Sequence, residues 1–191
     1  MRWTLSLTVV LVMVLYSFTM LGRAADLPGI APETVTDYIH AVLEAHRTFY
    51  TIHVVERLQK QGGTPAAEKW RTQQKTLPLP AQFLAEASDL SATTGTRVHY
   101  RLISLWPINP KNGPNDELET KGLEAVRQHP ERSATSIVKV GNQTYFQAIY
   151  ADRAVSQACV GCHNTHPHSP KKDFKMDDVM GGLLITIPLE K

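Results

Sequence analysis

Between Glu33 and Gln61 the apolar positions recur at helical spacing. Val35, Ile39, Val42, His46, Phe49, His53 and Val54 fall near one stripe, and Gly62-Gly63 ends the run. The pattern predicts one long helix, entered through Pro32, a residue suited to a first helical turn. Residues 64–79, bounded by Pro65 and Pro78, read as a connector with a short helix around Trp70. From Pro80 to Leu90 an amphipathic pattern returns, with Phe83, Leu84, Ala87 and Leu90 on the buried side. The period then changes. Arg97 to Trp106 alternates and is rich in strand formers. After a turn-rich loop at 107–114, Asn115 or Asp116 caps a helix through Leu118, Leu123 and Val126. Ser136–Val140 and Thr144–Tyr150 read as a hairpin joined at Gly141-Asn142, and Gly182–Leu189 as a last strand. Helices before and between antiparallel strands predict an α+β domain.

The first residues follow a different pattern. Met1-Arg2 precedes an uncharged apolar run from Trp3 to Leu21, followed by Gly22-Arg23-Ala24-Ala25. A basic start, an apolar stretch and small residues describe a secretory signal. Roughly 20 apolar residues also span a bilayer, so an uncleaved anchor through residues 3–21 stays open. Arg2 on the short side supports export of the rest in either case. The expected organisation is a signal peptide or membrane anchor over 1–24 and a single domain over 25–191, outside the cytoplasm.

Composition narrows the classes. Apolar residues make up 42% of the 191-residue chain and charged residues 20%, a globular balance. The formal net charge of +2 comes from Arg2 and Arg23, so the exported part is near neutral. That excludes the basic footprint of a nucleic-acid binder.

The two cysteines bring in chemistry. Cys159-Val160-Gly161-Cys162-His163 is a C-x-x-C-H run, the attachment pattern of c-type haem. Two thiols so spaced can add to two vinyl groups on one porphyrin edge, and the next residue can offer its imidazole to the iron. Three other readings compete. A zinc site would use Cys159, Cys162, His166 and His168, although structural zinc usually draws its pairs from separated segments. A thiol–disulfide oxidoreductase would open a helix in a βαβ context, whereas here an antiparallel hairpin precedes the pair. The third is a plain disulfide.

Several segments together resemble a known family. Tyr150-Ala151-Asp152, the run Cys159 to Asn164, His166-Pro167, Ser169-Pro170-Lys171 and Asp177 to Gly182 are similar to small bacterial c-type haem proteins with a PAS-like domain. Ile108 to Asn112, leading to Glu117, resembles that family's loop-to-helix signature. The resemblance implies a twisted antiparallel sheet with flanking helices and a long N-terminal helix. It also implies one haem c held by Cys159 and Cys162, with His163 as proximal ligand. Members are stand-alone exported proteins or extracytoplasmic sensor domains.

The sixth iron ligand decides what such a haem can do. The candidates are His40, His46, His53, His99, His129, Met176 and Met180. His53 is preferred, because Tyr50 to Val55 resembles the stretch where the family's helix approaches the haem. The expected function is electron transfer or redox sensing with a redox or signalling partner, not enzymatic turnover. Two alternatives are a diatomic gas sensor and, less favoured, a peroxidase-type enzyme. The long N-terminal helix could pair with a second copy, giving a homodimer.

Overall fold

A long helix, α1, opens the domain in the computed structural model, which describes residues 29–189. It covers residues 32–60 in three windings: α-helical Pro32–Phe49, π-helical Tyr50–Glu56 and α-helical Arg57–Lys60. The other helices are α2 (Pro80–Ala92), α3 (Glu117–Gln128) and α4 (Gln157–Thr165). The strands are β1 (His99–Ile103), β2 (Ala134–Val140), β3 (Gln143–Arg153) and β4 (Val179–Pro188), in one antiparallel sheet of order β1-β4-β3-β2. The expected α+β, PAS-like architecture with its long N-terminal helix is therefore present. The signal or anchor expected at 1–24 lies outside the described residues.

The last strand in sequence occupies the middle of the sheet. Ile185 of β4 pairs with Tyr100 of β1 on one side and with Ala148 of β3 on the other. A run such as Leu183 to Ile187, apolar but for Thr186, suits a strand covered on both faces. Alternation sorts its side chains between two cores. Leu183, Ile185 and Ile187 pack with Phe146, Ala148, Leu43 of α1 and Leu84 of α2. Leu184 faces the other way and joins Ile103, Ile149 and, from α3, Leu123 and Val126. The hairpin forms as its sequence predicts. Gly141 stands at φ +60° in the two-residue loop between Val140 and Gln143, a conformation that suits glycine at the first turn position.

Three expectations are corrected in detail. The connector around Trp70 forms turns instead of a helix, closed by a bridge between Ala66 and Leu77. On α2, Leu90 is 69% exposed, and Ser88 is buried in its place, its hydroxyl accepting from the Tyr100 N–H at 3.0 Å. Leu118 in the first turn of α3 is also exposed. The helix is capped by Asp116, whose carboxylate accepts from the Glu119 N–H at 2.8 Å. The largest change concerns α1. Val35 and Ile39 pack on the core, yet Val42 and Phe49 are exposed, and so are His46 and His53. Buried instead are Thr36, Leu43, Arg47, Thr51 and Val55. The π-helical stretch takes more residues per turn than an α-helix, so the inner face continues at every fourth residue, through 47, 51 and 55.

Gly181 marks a close approach. A Cβ there would run into the carbonyl oxygen of Ile103, a backbone atom of the neighbouring segment that cannot swing aside. Gly181→Ala is expected to cost about 3 kcal/mol, the upper range for overpacking, measured as a shift of the urea midpoint.

Candidate functional site

The chemistry sits on α4, a short helix with weak intrinsic preference held at both ends. At its N-terminus the Ser156 hydroxyl accepts from the Ala158 N–H at 3.0 Å. The same hydroxyl donates to Glu56 Oε2 at 2.7 Å, which joins α4 to the π-helical part of α1. The pairing of β3 with β4 shifts register between Asp152 and Arg153 and so ends just before the helix. Ala154 and the turn at Asp177-Asp178 then exchange backbone hydrogen bonds of 2.9 and 3.0 Å. At the other end the Asn164 amide donates to Phe174 O at 2.9 Å and accepts from Phe174 N–H at 3.0 Å. These clamps fix the rotation of α4.

Cys159, Cys162 and His163 all line one cavity of about 530 Å³. That is within the ordinary size range of cofactor pockets, about 300–1,000 Å³. Arg47, Thr51, Val55 and Gln59 of α1 form another part of its wall, and residues 102–104, 107–109 and Met180-Gly181 complete much of the rest. The His163 ring meets the edge of buried Phe174 at 5.8 Å, and Phe174 in turn meets Trp106 at 5.8 Å. Burial, with His166 nearby, lowers the pKa of His163, so its imidazole is neutral, the form that binds metals. Its Nδ1 is buried without a hydrogen-bond partner.

Burial raises the pKa of both thiols, reinforced by Asp152 at Cys159 and by Glu68 at Cys162. A redox dithiol needs the opposite, a thiol shifted down toward thiolate at neutral pH. The zinc reading fares no better. Among the described residues no three His, Cys, Asp or Glu side chains converge in an arrangement that could hold a metal ion, and His168 is exposed. Two neutral thiols and a neutral imidazole on one helix, open to a cofactor-sized cavity, do fit a covalently attached haem.

Of the charged residues that line this cavity, the buried one is Arg47, which is 3% exposed. Its Nε and Nη2 donate to the Glu44 carboxylate at 3.1 and 2.8 Å. Nη2 also lies 2.9 Å from Asp152 Oδ1, a charge contact without the direction of a hydrogen bond, since that oxygen has no hydrogen-bond partner. Burial opposes the charge on Arg47, but Asp152 and Glu44 more than compensate and raise its pKa. Burial also raises the pKa of the Asp152 carboxyl, against the pull of Arg47.

The site thus brings Cys159, Cys162 and His163 together and leaves His53 out. His53 lies on the exposed face of α1 beside Phe49, with ring centroids 4.9 Å apart, and does not line the cavity. His46, His99 and His129 are exposed as well, and Met176 is 42% exposed. His40 stacks on Tyr150 at 4.0 Å in a separate cleft. Met180 is buried beside Phe174 and lines the cavity. The stripe read along α1 from the sequence left out Arg47. The signal was the four-residue spacing of Leu43, Arg47, Thr51 and Val55, hidden because two of the four are polar.

Fold and site together define an α+β domain built around a cofactor cavity with a dithiol–imidazole helix. The family model described as Tll0287-like (Tll0287) matches residues 31–188, and the chain belongs to that family. Among solved structures the chain is similar to the crystal structure of the cyanobacterial heme-protein Tll0287. The TM-score is 0.50 and the identity 13%, over 84% of this chain and 98% of that one, a likeness that speaks for the fold alone. No curated protein matches the chain.

The Glu56–Ser156 bond gives a pH-dependent expectation. Hydrogen bonds from Lys60 first, and Ser156 second, hold the Glu56 carboxyl below its usual value of 4.5. A depressed carboxylate stabilises the fold above its unfolded pKa, and that contribution is lost as pH falls through the native value. Glu56→Gln is therefore expected to be less stable than wild type at pH 7, with the difference fading below about pH 4, in urea unfolding at both values. Ser156→Ala, which also removes the cap, is expected to cost about 1 kcal/mol.

Proposed function

We propose that this protein binds one haem c through thioether bonds to Cys159 and Cys162, with His163 on the iron. We read it as an electron-transfer or redox-sensing protein outside the cytoplasm, rather than an enzyme, working with a redox or signalling partner. The observation that carries the reading is the common orientation of the two thiols and the imidazole into one cofactor-sized cavity. The leader-like residues 1–24 support export; among the described residues no helix is long and apolar enough to cross a membrane.

Bound haem supplies an iron that changes oxidation state by one electron. The chain's own residues do the rest. Ser156 and Asn164 hold α4 so that His163 keeps one orientation, and buried Phe174 packs against its ring and excludes water from that side. The raised pKa values keep the Cys159 and Cys162 thiols protonated at neutral pH, a form that resists idle metal capture.

A second reading, a sensor of diatomic gases, is favoured by one observation. The wall of the cavity formed by α1 carries no imidazole.

The test is a pyridine haemochrome spectrum of protein matured with a c-type attachment system. A c-type band that survives acid–acetone extraction is expected from wild type, and its loss from Cys159→Ala/Cys162→Ala. A wild-type protein without that band would overturn the reading.

A further inference from the structure

Several histidines could in principle stand across the cavity from His163, yet the fold withholds them. All eight histidines of the chain are among the described residues. Besides His163, only His166 lines the cavity. It lies three residues further on, at the end of the same helix, and residues so spaced share one side of a helix. Two such imidazoles cannot grip opposite faces of a flat group. Among the described residues Met180 is the one methionine lining the cavity. It packs with Phe174, the ring that His163 abuts, and so belongs to the His163 side.

The wall formed by α1 offers something else. Arg47, Thr51 and Val55 stand there, none of them a usual ligand to haem iron. Arg47 is buried, with Nε and Nη2 engaged by Glu44, Asp152 and the Arg153 carbonyl, the last at 3.4 Å. Its Nη1 has no hydrogen-bond partner among the described residues. The two carboxylates hold the guanidinium in place and leave Nη1 uncommitted on a residue that lines the cavity.

Resting on the haem reading above, we propose that the coordination position opposite His163 is filled from solution. A small ligand with a hydrogen-bond-accepting end binds there, and Arg47 Nη1 donates to it. Arg47 acts as a binding residue for that ligand, and no histidine of α1 takes part.

The experiment uses the full haem-loaded protein with azide as probe for the oxidised form and carbon monoxide for the reduced form. Wild type is expected to bind both, with a shift from high-spin to low-spin absorption on azide addition. Arg47→Met is expected to weaken azide binding about tenfold or more, the scale of a hydrogen bond from a charged donor. Arg47 also packs α1 against β3, so Arg47→Lys serves as the second variant. It keeps the charge for Glu44 and Asp152 but loses the fork, and is expected to weaken azide as well. His53→Ala, on the exposed face of α1, is expected to leave the wild-type spectrum and azide affinity unchanged.

A wild-type protein that is low-spin in both oxidation states and inert to both probes would overturn the proposal. So would wild-type azide affinity in both Arg47 variants, or a Met180→Leu protein that turns from low-spin to high-spin. A haemochrome-positive but azide-inert protein fails this proposal alone. A protein without the haemochrome band fails the haem reading, and this proposal with it.

Discussion

The burial of one guanidinium organises this domain. Arg47 is drawn off α1 by Glu44, on its own helix, and by Asp152, on β3. Taking such a charge out of water is costly, and losing both carboxylates would leave a buried ion uncompensated, at about 3–5 kcal/mol. The arrangement holds only if α1 lies across the sheet at the point where β3 loses its register with β4. From that point the chain departs into α4. One electrostatic contact therefore sets the distance between the long helix and the helix that carries the thiols. The cavity is the space that this distance leaves.

The π-helical winding of α1 fits the same logic. Thr51 donates its hydroxyl to the carbonyl of Arg47 at 2.8 Å, and Tyr50 donates to Pro78 O at 2.7 Å. These bonds tie the wound segment to its own preceding turn and to the connector before α2. Such windings often accompany functional sites, because they redirect side chains without ending a helix. Here the redirection keeps Arg47, Thr51 and Val55 in line and turns His53 to solvent.

Much of this was legible in the sequence, for identifiable reasons. The hairpin announced itself through Gly141-Asn142 between alternating segments. The last strand did so through Leu183 to Ile187, and the chemistry through the spacing of Cys159, Cys162 and His163. These signals are local, and the structure keeps them local. The inner face of α1 was not legible, because a hydrophobic stripe at α-helical period assumes uniform winding. Nor was Arg47, whose burial depends on Asp152, about a hundred residues away. Phe49 at 62% exposed and Leu90 at 69% show the converse, apolar residues whose periodic position promised burial that the packing did not give.

The place of β4 bears on how the molecule is made. This strand comes last in sequence but joins β1 to β3 at the centre of the sheet. Until it is in place, those two strands have no common neighbour, and the turn at Asp177-Asp178 that braces the start of α4 has nothing behind it. A chain emerging from its amino end presents Cys159 and Cys162 before β4, whose Met180 and Gly181 complete the cavity wall. Any chemistry on the thiols that needs a bulky enzyme at close quarters has its opening during that interval. Insertion of the final strand then closes the sheet behind α4, so the order of residues along the chain works as an assembly schedule.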